Sequence, residues 1–268
     1  MALRILALGE IVGKPGLFAV KNGLKQLREK THVDLVIANG EGVTGGFGIG
    51  KSHAVYLHKL GVDVITTGEK TFYKKDMVGH IGKAPYIIRP ANYPPSVPGR
   101  GWTMKIVGDQ TVAVINLLGQ SDFTRVHLGN PFLLLPMIIE RIQRDTRIII
   151  LQFHAATTAE KQTMFFHAEG KVSAVIGTHN KAITADARVF PNGTAVITDN
   201  GRCGSSMSVG GLEPSVEIGK FLTQIPERSQ ETWEELELQG VLIEIGDDGK
   251  AASIETIRLP VERGDSND

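Results

Sequence analysis

Three glutamates and two histidines each follow an apolar run that is typical of a β-strand, and two lysines lie among them. The acidic and imidazole residues are Glu10, Glu41, Glu69, His154 and His179, and the lysines are Lys70 and Lys181. Carboxylate oxygens and imidazole nitrogens bind ions such as Zn, Mn or Fe. A protonated lysine has only donors and binds no metal. The set indicates either a site for one divalent metal or a metal-free network in which the lysines neutralise the carboxylates.

The elements that carry these residues alternate between strand and helix patterns. Helices are predicted at 17–30, 51–60 and 131–144, and strands at 3–8, 33–38, 62–66, 112–117, 147–153, 172–176 and 195–198. Such alternation predicts an α/β fold with a mainly parallel sheet and right-handed crossovers. Because the carboxyl ends of parallel strands share one edge, the polar residues there are expected to converge.

The connecting segments and the C-terminal part are also predicted from pattern. Residues 9–16 are expected to form a glycine-rich turn, 85–98 an ordered loop or edge segment, and 199–206 a loop. Two strand-like runs, 236–245 and 252–259, flank Asp247-Asp248-Gly249 and predict a β-hairpin. We expect one domain over 1–260, with room for a small cap within 85–130, and a polar tail at 261–268.

Composition excludes several classes of protein. The chain has 268 residues with 29 basic and 29 acidic side chains, so a basic face for bulk nucleic acid is not expected. Its single cysteine, Cys203, allows no intrachain disulfide and suits a reducing compartment. No apolar stretch approaches the ~20 residues that a membrane helix needs. We therefore expect a cytoplasmic protein with no membrane segment.

Three common sequence motifs are absent. The turn Gly9-Glu10-Ile11-Val12-Gly13 does not match the glycine fingerprint of dinucleotide-binding folds. No P-loop occurs, and no strand leads into the Gly-x-Ser-x-Gly elbow of serine hydrolases.

Six motifs, in this order, resemble those of the YmdB-like family of calcineurin-type metallophosphoesterases. The family's patterns, each followed by the matching residues of this chain, are GDxVGxPG (GEIVGKPG at 9–16), NGEN (NGEG at 39–42), GNHTWDKKE (GEKTFYKKD at 68–76), RPANFP (RPANYP at 89–94), DFHAExTSEK (QFHAATTAEK at 152–161) and GTHTHVxTAD (GTHNKAITAD at 177–186). The resemblance covers nearly the whole chain. It implies a metallophosphoesterase-like α/β sandwich with mixed, largely parallel sheets, ending in the C-terminal hairpin. It also implies a dinuclear metal centre that hydrolyses phosphodiesters, cyclic nucleotides among them.

The resemblance implies a role for each site residue, and this chain departs from the pattern at several of them. The first metal would have Glu10 for an Asp, Glu41 as the bridge, Gly42 for an Asn and Lys181 for a His. The second would have Glu41, Glu69 for an Asn, His154 and His179. Lys70 takes the place of the catalytic His, and the ammonium of Lys181 would substitute for the charge of the lost first metal.

These departures set out two hypotheses of function. Gly42 has no side chain and Lys181 cannot bind a metal, so at most one divalent ion (Zn, Mn or Fe), or none, is expected. With a reference pKa of about 10.4, Lys70 is a poor acid at neutral pH. The first hypothesis is therefore a divergent, weak or inactive phosphodiesterase that acts as a binding or regulatory protein. The alternative is an active metal-dependent phosphodiesterase on cyclic nucleotides or related phosphodiesters.

A phosphate contact and the partners are the remaining expectations. Arg202, in the loop predicted at 199–206, is a candidate to bind phosphate. The expected partner is a phosphate-containing small molecule or a protein. The resemblance also implies a homo-oligomer.

Overall fold

The strands form two sheets in the computed structural model, which describes residues 2–263. The helices are α1 (Gly13–Thr31), α2 (Lys51–Lys59), α3 (Lys75–His80), α4 (Pro131–Ile142), α5 (Thr158–Ala168) and α6 (Pro214–Thr223). The strands are β1 (Leu3–Ile11), β2 (Leu35–Asn39), β3 (Val64–Thr66), β4 (Ile87–Ile88), β5 (Trp102–Val107), β6 (Gln110–Leu118), β7 (Ile148–His154), β8 (Ala174–Thr178), β9 (Arg188–Val189), β10 (Ala195–Ile197), β11 (Arg202–Ser205), β12 (Leu236–Ile245) and β13 (Ala251–Pro260).

Both sheets are mixed, and the centre of each is parallel. The first has the order β13-β12-β11-β1-β2-β3-β4, in which β1 pairs in parallel with β2 and β11, and β3 with β2 and β4. The second has the order β5-β6-β7-β8-β10-β9, with antiparallel strands only at its two edges. The antiparallel pair β12–β13 is the predicted C-terminal hairpin. The predicted fold class, a largely parallel α/β sandwich, is confirmed.

Aliphatic side chains fill the space between the sheets and also the spaces under the helices. Ile5 and Ile37 of the first sheet pack in one core with Ile150 and Ile176 of the second. The next residues along the strands point the other way, as Leu6 does toward the helices α1 and α2. Strands buried on both faces read as continuous apolar runs, which is why the sequence located them so readily. The result is four layers, helix–sheet–sheet–helix, with the carboxyl ends of the central strands at one edge.

The turn predicted at 9–16 is wrong, because β1 continues to Ile11 and α1 begins at Gly13. The glycine at position 9 serves close packing rather than a turn. A Cβ there would lie 2.3 Å from the carbonyl carbon of Gly201, just before β11. The loop predicted at 199–206 is wrong for a related reason, since β11 lies within it and pairs with both β1 and β12.

The middle segment contributes strands to both sheets. β4 is the edge of the first sheet, and the β5–β6 hairpin completes one edge of the second. The loop 119–130 then returns the chain from β6 to α4. The single-domain boundary stays a prediction.

The chain packs against the hairpin for a few residues beyond β13. Val261 is buried, and its N–H donates to the carbonyl of Leu236 at 2.7 Å. The guanidinium of Arg263 lies 4.7 Å from the ring centre of Trp233. The remaining positions of the predicted polar tail, 264–268, lie outside the described residues. Within residues 2–263, none of the helices has the length and apolar character needed to cross a membrane.

Candidate metal and phosphate site

The sequence-predicted site residues meet where the carboxyl ends of strands from both sheets face each other. The first sheet contributes Glu10 from β1, Glu41 from the turn after β2, and Glu69 and Lys70 from the turn after β3. The second contributes His154, the last residue of β7, and His179, the residue directly after β8. Sequence reasoning placed these residues at strand ends, and the sandwich brings the ends of its two sheets together.

Three donor atoms form a cluster of the size that a metal ion requires. His154 Nε2 lies 2.9 Å from Glu69 Oε2 and 3.1 Å from His179 Nδ1. The third edge, from His179 Nδ1 to Glu69 Oε2, is 3.8 Å. Tetrahedral ligands at about 2.0–2.1 Å from an ion lie about 3.3 Å apart. Glu69, His154 and His179, which we call the three-donor cluster, therefore fit one divalent ion.

The His154 ring is fixed by partners that sequence reasoning missed. Its Nδ1 lies 2.9 Å from Thr178 Oγ1 and 3.2 Å from Asn39 Nδ2, and the side chain is completely buried. Asn39 is itself oriented, because its Oδ1 accepts the N–H of Glu41 at 2.9 Å. Hydrogen bonds to the second ring nitrogen orient a metal-binding histidine, and these leave Nε2 facing the cluster. Asn39 opens a motif and Thr178 ends a strand, but neither position alone indicates this role.

Glu69 and Lys70 form an ion pair at the edge of the cluster. Lys70 Nζ donates to Glu69 Oε1 at 2.5 Å. Burial raises the pKa of Glu69, but the hydrogen bond with His154 and the charges of His154 and Lys70 outweigh it and hold that pKa well below its usual range. Burial lowers the pKa of Lys70, but the carboxylates of Glu69, Glu41 and Glu10 outweigh it and raise that pKa. Both groups are therefore charged at neutral pH.

Glu41 lies beside the three-donor cluster and is held by backbone donors. One carboxylate oxygen accepts the N–H of Gly68 at 2.5 Å, and the other accepts the N–H of Lys70. Burial and then the charge of Glu69 raise the pKa of this completely buried carboxyl to about 7. Among the described residues, the cluster with donor atoms within 4.8 Å of one another contains Glu69, His154 and His179 without Glu41. The metal-binding role of Glu41 stays a prediction.

His179 is neutral and has an unusual backbone. Burial, followed by the charge of His154 and then those of Lys70 and Lys181, lowers its pKa to about 3 in spite of Glu69. A neutral imidazole has the free lone pair that a metal needs. Its φ is 107°, and Lys181 two residues later has φ 60°. Positive φ at residues other than glycine costs about 1–3 kcal/mol and is concentrated at functional sites.

The opposite half of the site has a different chemistry. Glu10 is buried, and its Oε1 forms no hydrogen bond with the described residues. Lys181 Nζ lies 3.4 Å from this oxygen, as an ion pair without hydrogen-bond geometry. A Cβ at Gly42 would be 2.7 Å from the same oxygen, so the longer Glu10 side chain fills the space of the missing side chain. Gly42 and Lys181 provide no metal ligands, and this half does not fit a second ion.

Arg202, the first residue of β11, donates hydrogen bonds to three backbone carbonyls. Its Nε donates to the carbonyl of Ser205 at 2.9 Å, Nη1 to that of Lys181 at 2.8 Å, and Nη2 to that of Ser206 at 2.9 Å. The guanidinium thus links β11 to the segment that carries Lys181. Its predicted contact with phosphate stays a prediction.

A cleft of about 340 Å³ adjoins the three-donor cluster, and most of its lining was missed from the sequence. Glu69, Lys70 and His179 line one part, and Phe47, Tyr73, Phe123 and Arg125 line another. The loop 119–130 supplies the last two residues. Because this loop has no hydrophobic periodicity and no motif, the sequence contained no signal for it.

Two mixed sheets between helices, with side chains that could hold a metal ion at strand ends of both, are the features of the metallophosphoesterase class of fold. Comparisons with known proteins identify one family within this class. Residues 6–257 match the family described as YmdB-like protein. The chain belongs to the YmdB-like family of metallophosphoesterases, and the resemblance seen in its motifs is confirmed.

Individual relatives match over nearly their full lengths. The chain is 37% identical over 258 residues to a 2′,3′-cyclic-nucleotide 2′-phosphodiesterase of Bacillus subtilis (strain 168), covering 96% of this chain and 97% of that protein. A crystal structure described as a novel phosphatase of Mycoplasma pneumoniae has a TM-score of 0.91 and 33% identity, covering 97% of this chain and 94% of that one. A hypothetical protein from Thermus thermophilus has a TM-score of 0.89 and 29% identity, covering 96% of this chain and 99% of that one.

Proposed function

We propose that this chain binds one divalent metal and a phosphate ester, and that it hydrolyses phosphodiesters far more slowly than a two-metal phosphodiesterase. The observation that carries the proposal is the asymmetry of the site. The three-donor cluster has metal-binding geometry, whereas Glu10 and Lys181 fill the other half with an ion pair. A binding or regulatory role follows from a site that holds phosphate without turning it over efficiently.

The chemistry of the retained residues supports binding more than catalysis. A divalent ion held by Glu69, His154 and His179 would act as a Lewis acid toward a phosphoryl oxygen. Lys70 adds a positive charge, and its ammonium group can donate hydrogen bonds to phosphate oxygens. Because its pKa is raised, it keeps its proton and is a poor general acid for a leaving oxygen. Loss of a general acid costs typically about 10²- to 10⁴-fold in rate.

One observation favours the alternative of an active phosphodiesterase on cyclic nucleotides. The pKa of Glu41 is raised to about 7, in the range that suits a general base at neutral pH. The named activity of the Bacillus subtilis relative is of this kind. Against it, both oxygens of Glu41 already accept backbone N–H groups.

Elemental analysis combined with turnover assays distinguishes the proposed slow, single-metal protein from an active phosphodiesterase. We expect about one metal per chain after supplementation with Zn, Mn or Fe, and its loss in His179→Ala. Hydrolysis of bis-p-nitrophenyl phosphate and 2′,3′-cyclic AMP is expected to be at or near background. Rapid turnover that His154→Ala abolishes would refute weak catalysis, and two tightly held metals would refute the single-metal site.

A restoring variant makes the test sharper. The combination Glu10→Asp, Gly42→Asn and Lys181→His returns the first half of the site to the family pattern, and the shorter Asp leaves room for a side chain at position 42. We expect this variant to bind two metals and to gain about 10²-fold or more in turnover. Gly42→Asn alone is the control, and its contact with Glu10 should reduce stability without adding a metal. An unchanged metal count in the triple variant would contradict the proposed cause.

A further inference from the structure

The edge strand β5 of the second sheet has backbone groups without a partner strand. Just before β5, the carbonyl of Gly101 accepts the N–H of Asn116 in β6 at 3.0 Å. Because the residues of an antiparallel strand alternate in the direction of their backbone groups, the N–H and C=O groups of Trp102, Met104 and Ile106 point away from β6. No strand within residues 2–263 pairs with this side of β5. A free sheet edge of this kind is a template for a further strand.

A cleft of about 730 Å³ lies between this edge strand and α4. Trp102 and Met104 of β5 line one side, and Leu134, Ile138 and Arg141 of α4 line the other. Residues of the segment 89–101 complete the lining. We call this cleft the β5–α4 groove.

Apolar side chains continue from the groove onto the surface. Ile106, on the same face of β5 as Met104, is 83% exposed. On α4, Met137 is 68% exposed and Leu133 is 74% exposed, and Met137 lies one helical turn from Leu134. Single exposed apolar residues are ordinary on a protein surface, but these border a cleft and a free strand edge.

The charged residues of the groove are all cationic. Its lining contains three arginines and neither aspartate nor glutamate. Arg89 is buried, and its guanidinium donates to three backbone carbonyls of the segment 90–98, so it stabilises the fold. Arg100 and Arg141 are exposed, and neither a hydrogen bond nor an ion pair links their guanidinium groups to another residue within 2–263. The Arg141 guanidinium lies 5.5 Å from the ring centre of Trp102, at the apolar wall of the groove.

We propose that the β5–α4 groove binds an extended acidic segment of a partner protein, which adds a strand to β5 while its carboxylates pair with Arg100 and Arg141. Main-chain hydrogen bonds to the free edge supply affinity, and side chains that enter the groove supply specificity. Guanidinium groups form charge-assisted hydrogen bonds with carboxylates. The six residues of β5 span about 20 Å, the length of a peptide segment of about six residues.

Charge disfavours a second copy of this chain as the occupant. A two-fold pairing of β5 with β5 would bring the same patch of both copies together. Arg100 and Arg141 of each copy would then face the same cations of the other, and like charges at an interface repel. Because no residue of the three-donor cluster lines the groove, binding of the acidic segment is independent of the proposed metal and phosphate site.

Fluorescence anisotropy with labelled peptides tests the proposal on the metal-free protein. The probe is a peptide in which Glu and Val alternate over about seven positions, and its counterpart has Lys in place of Glu. We expect the Glu peptide to bind at least about 10-fold more tightly, with a loss of affinity at high salt. Two further Glu peptides are N-methylated at alternate positions, so that each has one edge that cannot pair. One of them should bind like the parent peptide and the other should not bind.

Substitutions in the chain separate the backbone contacts from the charges. Ile106→Pro removes an N–H that points away from β6, at a position where an edge strand tolerates proline. It should weaken binding of the Glu peptide about 10-fold, whereas Ile106→Ala keeps the N–H and should weaken it less than about 3-fold. Arg100→Gln and Arg141→Gln should each weaken binding about 5-fold or more. Arg144→Gln, which removes an exposed guanidinium after α4, is the matched control and should have no effect.

Several results would overturn the proposal. No binding of the Glu peptide, equal binding of the Glu and Lys peptides, or equal losses in Arg141→Gln and Arg144→Gln would exclude the acidic segment. Binding of both N-methylated peptides would exclude strand addition. A dimer in sedimentation velocity that Ile106→Pro dissociates, without binding of the Glu peptide, would identify a second copy as the occupant. Metal content should be unchanged in all of these variants, so failure here leaves the proposed function intact.

Discussion

Lys161 is expected to stabilise the fold and the metal site together through one buried ion pair. Its side chain is completely buried on α5, with Nζ 3.0 Å from Asp199 Oδ2 and 2.5 Å from Asn180 Oδ1. Asp199 also accepts the N–H of Asn180 at 2.8 Å. The pair thus holds the segment between His179 and Lys181, where the backbone is strained. Replacing Lys161 by methionine keeps the length of the side chain and removes its charge.

The size of the effect follows from the burial of the partner. Removing one member of a buried ion pair leaves an uncompensated charge, which costs about 3–5 kcal/mol. That cost is a large part of the free energy of unfolding of a typical domain, which is roughly 5–15 kcal/mol. Burial already raises the pKa of Asp199 against the opposing effect of Lys161. In Lys161→Met the pKa of Asp199 should rise further. A buried carboxyl with a raised pKa makes the folded protein less stable as pH rises, because the carboxyl must then ionise. The cost should therefore be larger at about pH 8 than at about pH 5.

Urea unfolding of the metal-free protein, followed by circular dichroism, measures this cost. Lys59→Met on the exposed side of α2 is the matched control and should change stability by less than about 0.5 kcal/mol. The double variant Lys161→Met/Asp199→Asn should be more stable than Lys161→Met, because no buried charge remains. Metal affinity, measured by competition with a chelating dye, should fall about 10- to 100-fold in Lys161→Met. A cost below about 1 kcal/mol, or a double variant less stable than the single one, would refute the reasoning.

Three further predictions concern other buried groups. Burial raises the pKa of Cys203 to about 12, so its contribution to stability is lost as pH rises from 9 toward 12. At pH 8 a thiol reagent should label it only in denaturant, and rapid labelling of the folded protein would contradict this burial. A Cβ at Gly68 would be 2.4 Å from the His154 ring, so Gly68→Ala should lower metal affinity at least about 10-fold by dye competition, and unchanged affinity would contradict the geometry. With its pKa raised from 4.5 to about 7, Glu41 should cost the metal-free protein about 3 kcal/mol as pH rises through that window. His179, whose pKa is lowered from 6.5 to about 3, has the opposite slope, with stability lost as pH falls. Glu41→Gln isolates the first effect, and its unfolding free energy relative to the unsubstituted chain should increase between pH 5 and pH 8.

The fold was predictable because most strands are buried on both faces and therefore read as apolar runs. Two errors, at 9–16 and at 199–206, fell where glycines allow close approach between strands. At Gly9 the sequence suggested a turn, but the chain stays extended against Gly201. The four-residue strand β11 was also missed. Its residues, Arg202, Cys203, Gly204 and Ser205, have little strand character by themselves. Their pairing with β1 and β12 is a long-range contact that local pattern does not contain.

The candidate site was predictable as far as motifs extend. Glu69, His154 and His179 were found at strand ends, and the structure brings their donor atoms together. The orienting role of Thr178 and the cleft residues Phe123 and Arg125 were not found. Their roles depend on contacts between the two sheets and a loop, which are far apart in the sequence. The coupling of Glu10 with Gly42 was also hidden, since it is a contact between a residue of β1 and a residue of the turn after β2.

Charge gives a reason for two lysines to lie in the proposed single-metal site. Three carboxyl groups, of Glu10, Glu41 and Glu69, lie at the strand ends with the two ammonium groups of Lys70 and Lys181. The carboxyl groups outnumber the lysines by one, and the pKa of Glu41, raised to about 7, allows that carboxyl to hold a proton near neutral pH. One divalent ion makes the site positive and favours a phosphate anion, whereas two would leave an excess of positive charge beside the lysines. The ion pairs are thus consistent with the proposed site for one metal, in which the lysines would supply the charge of the second.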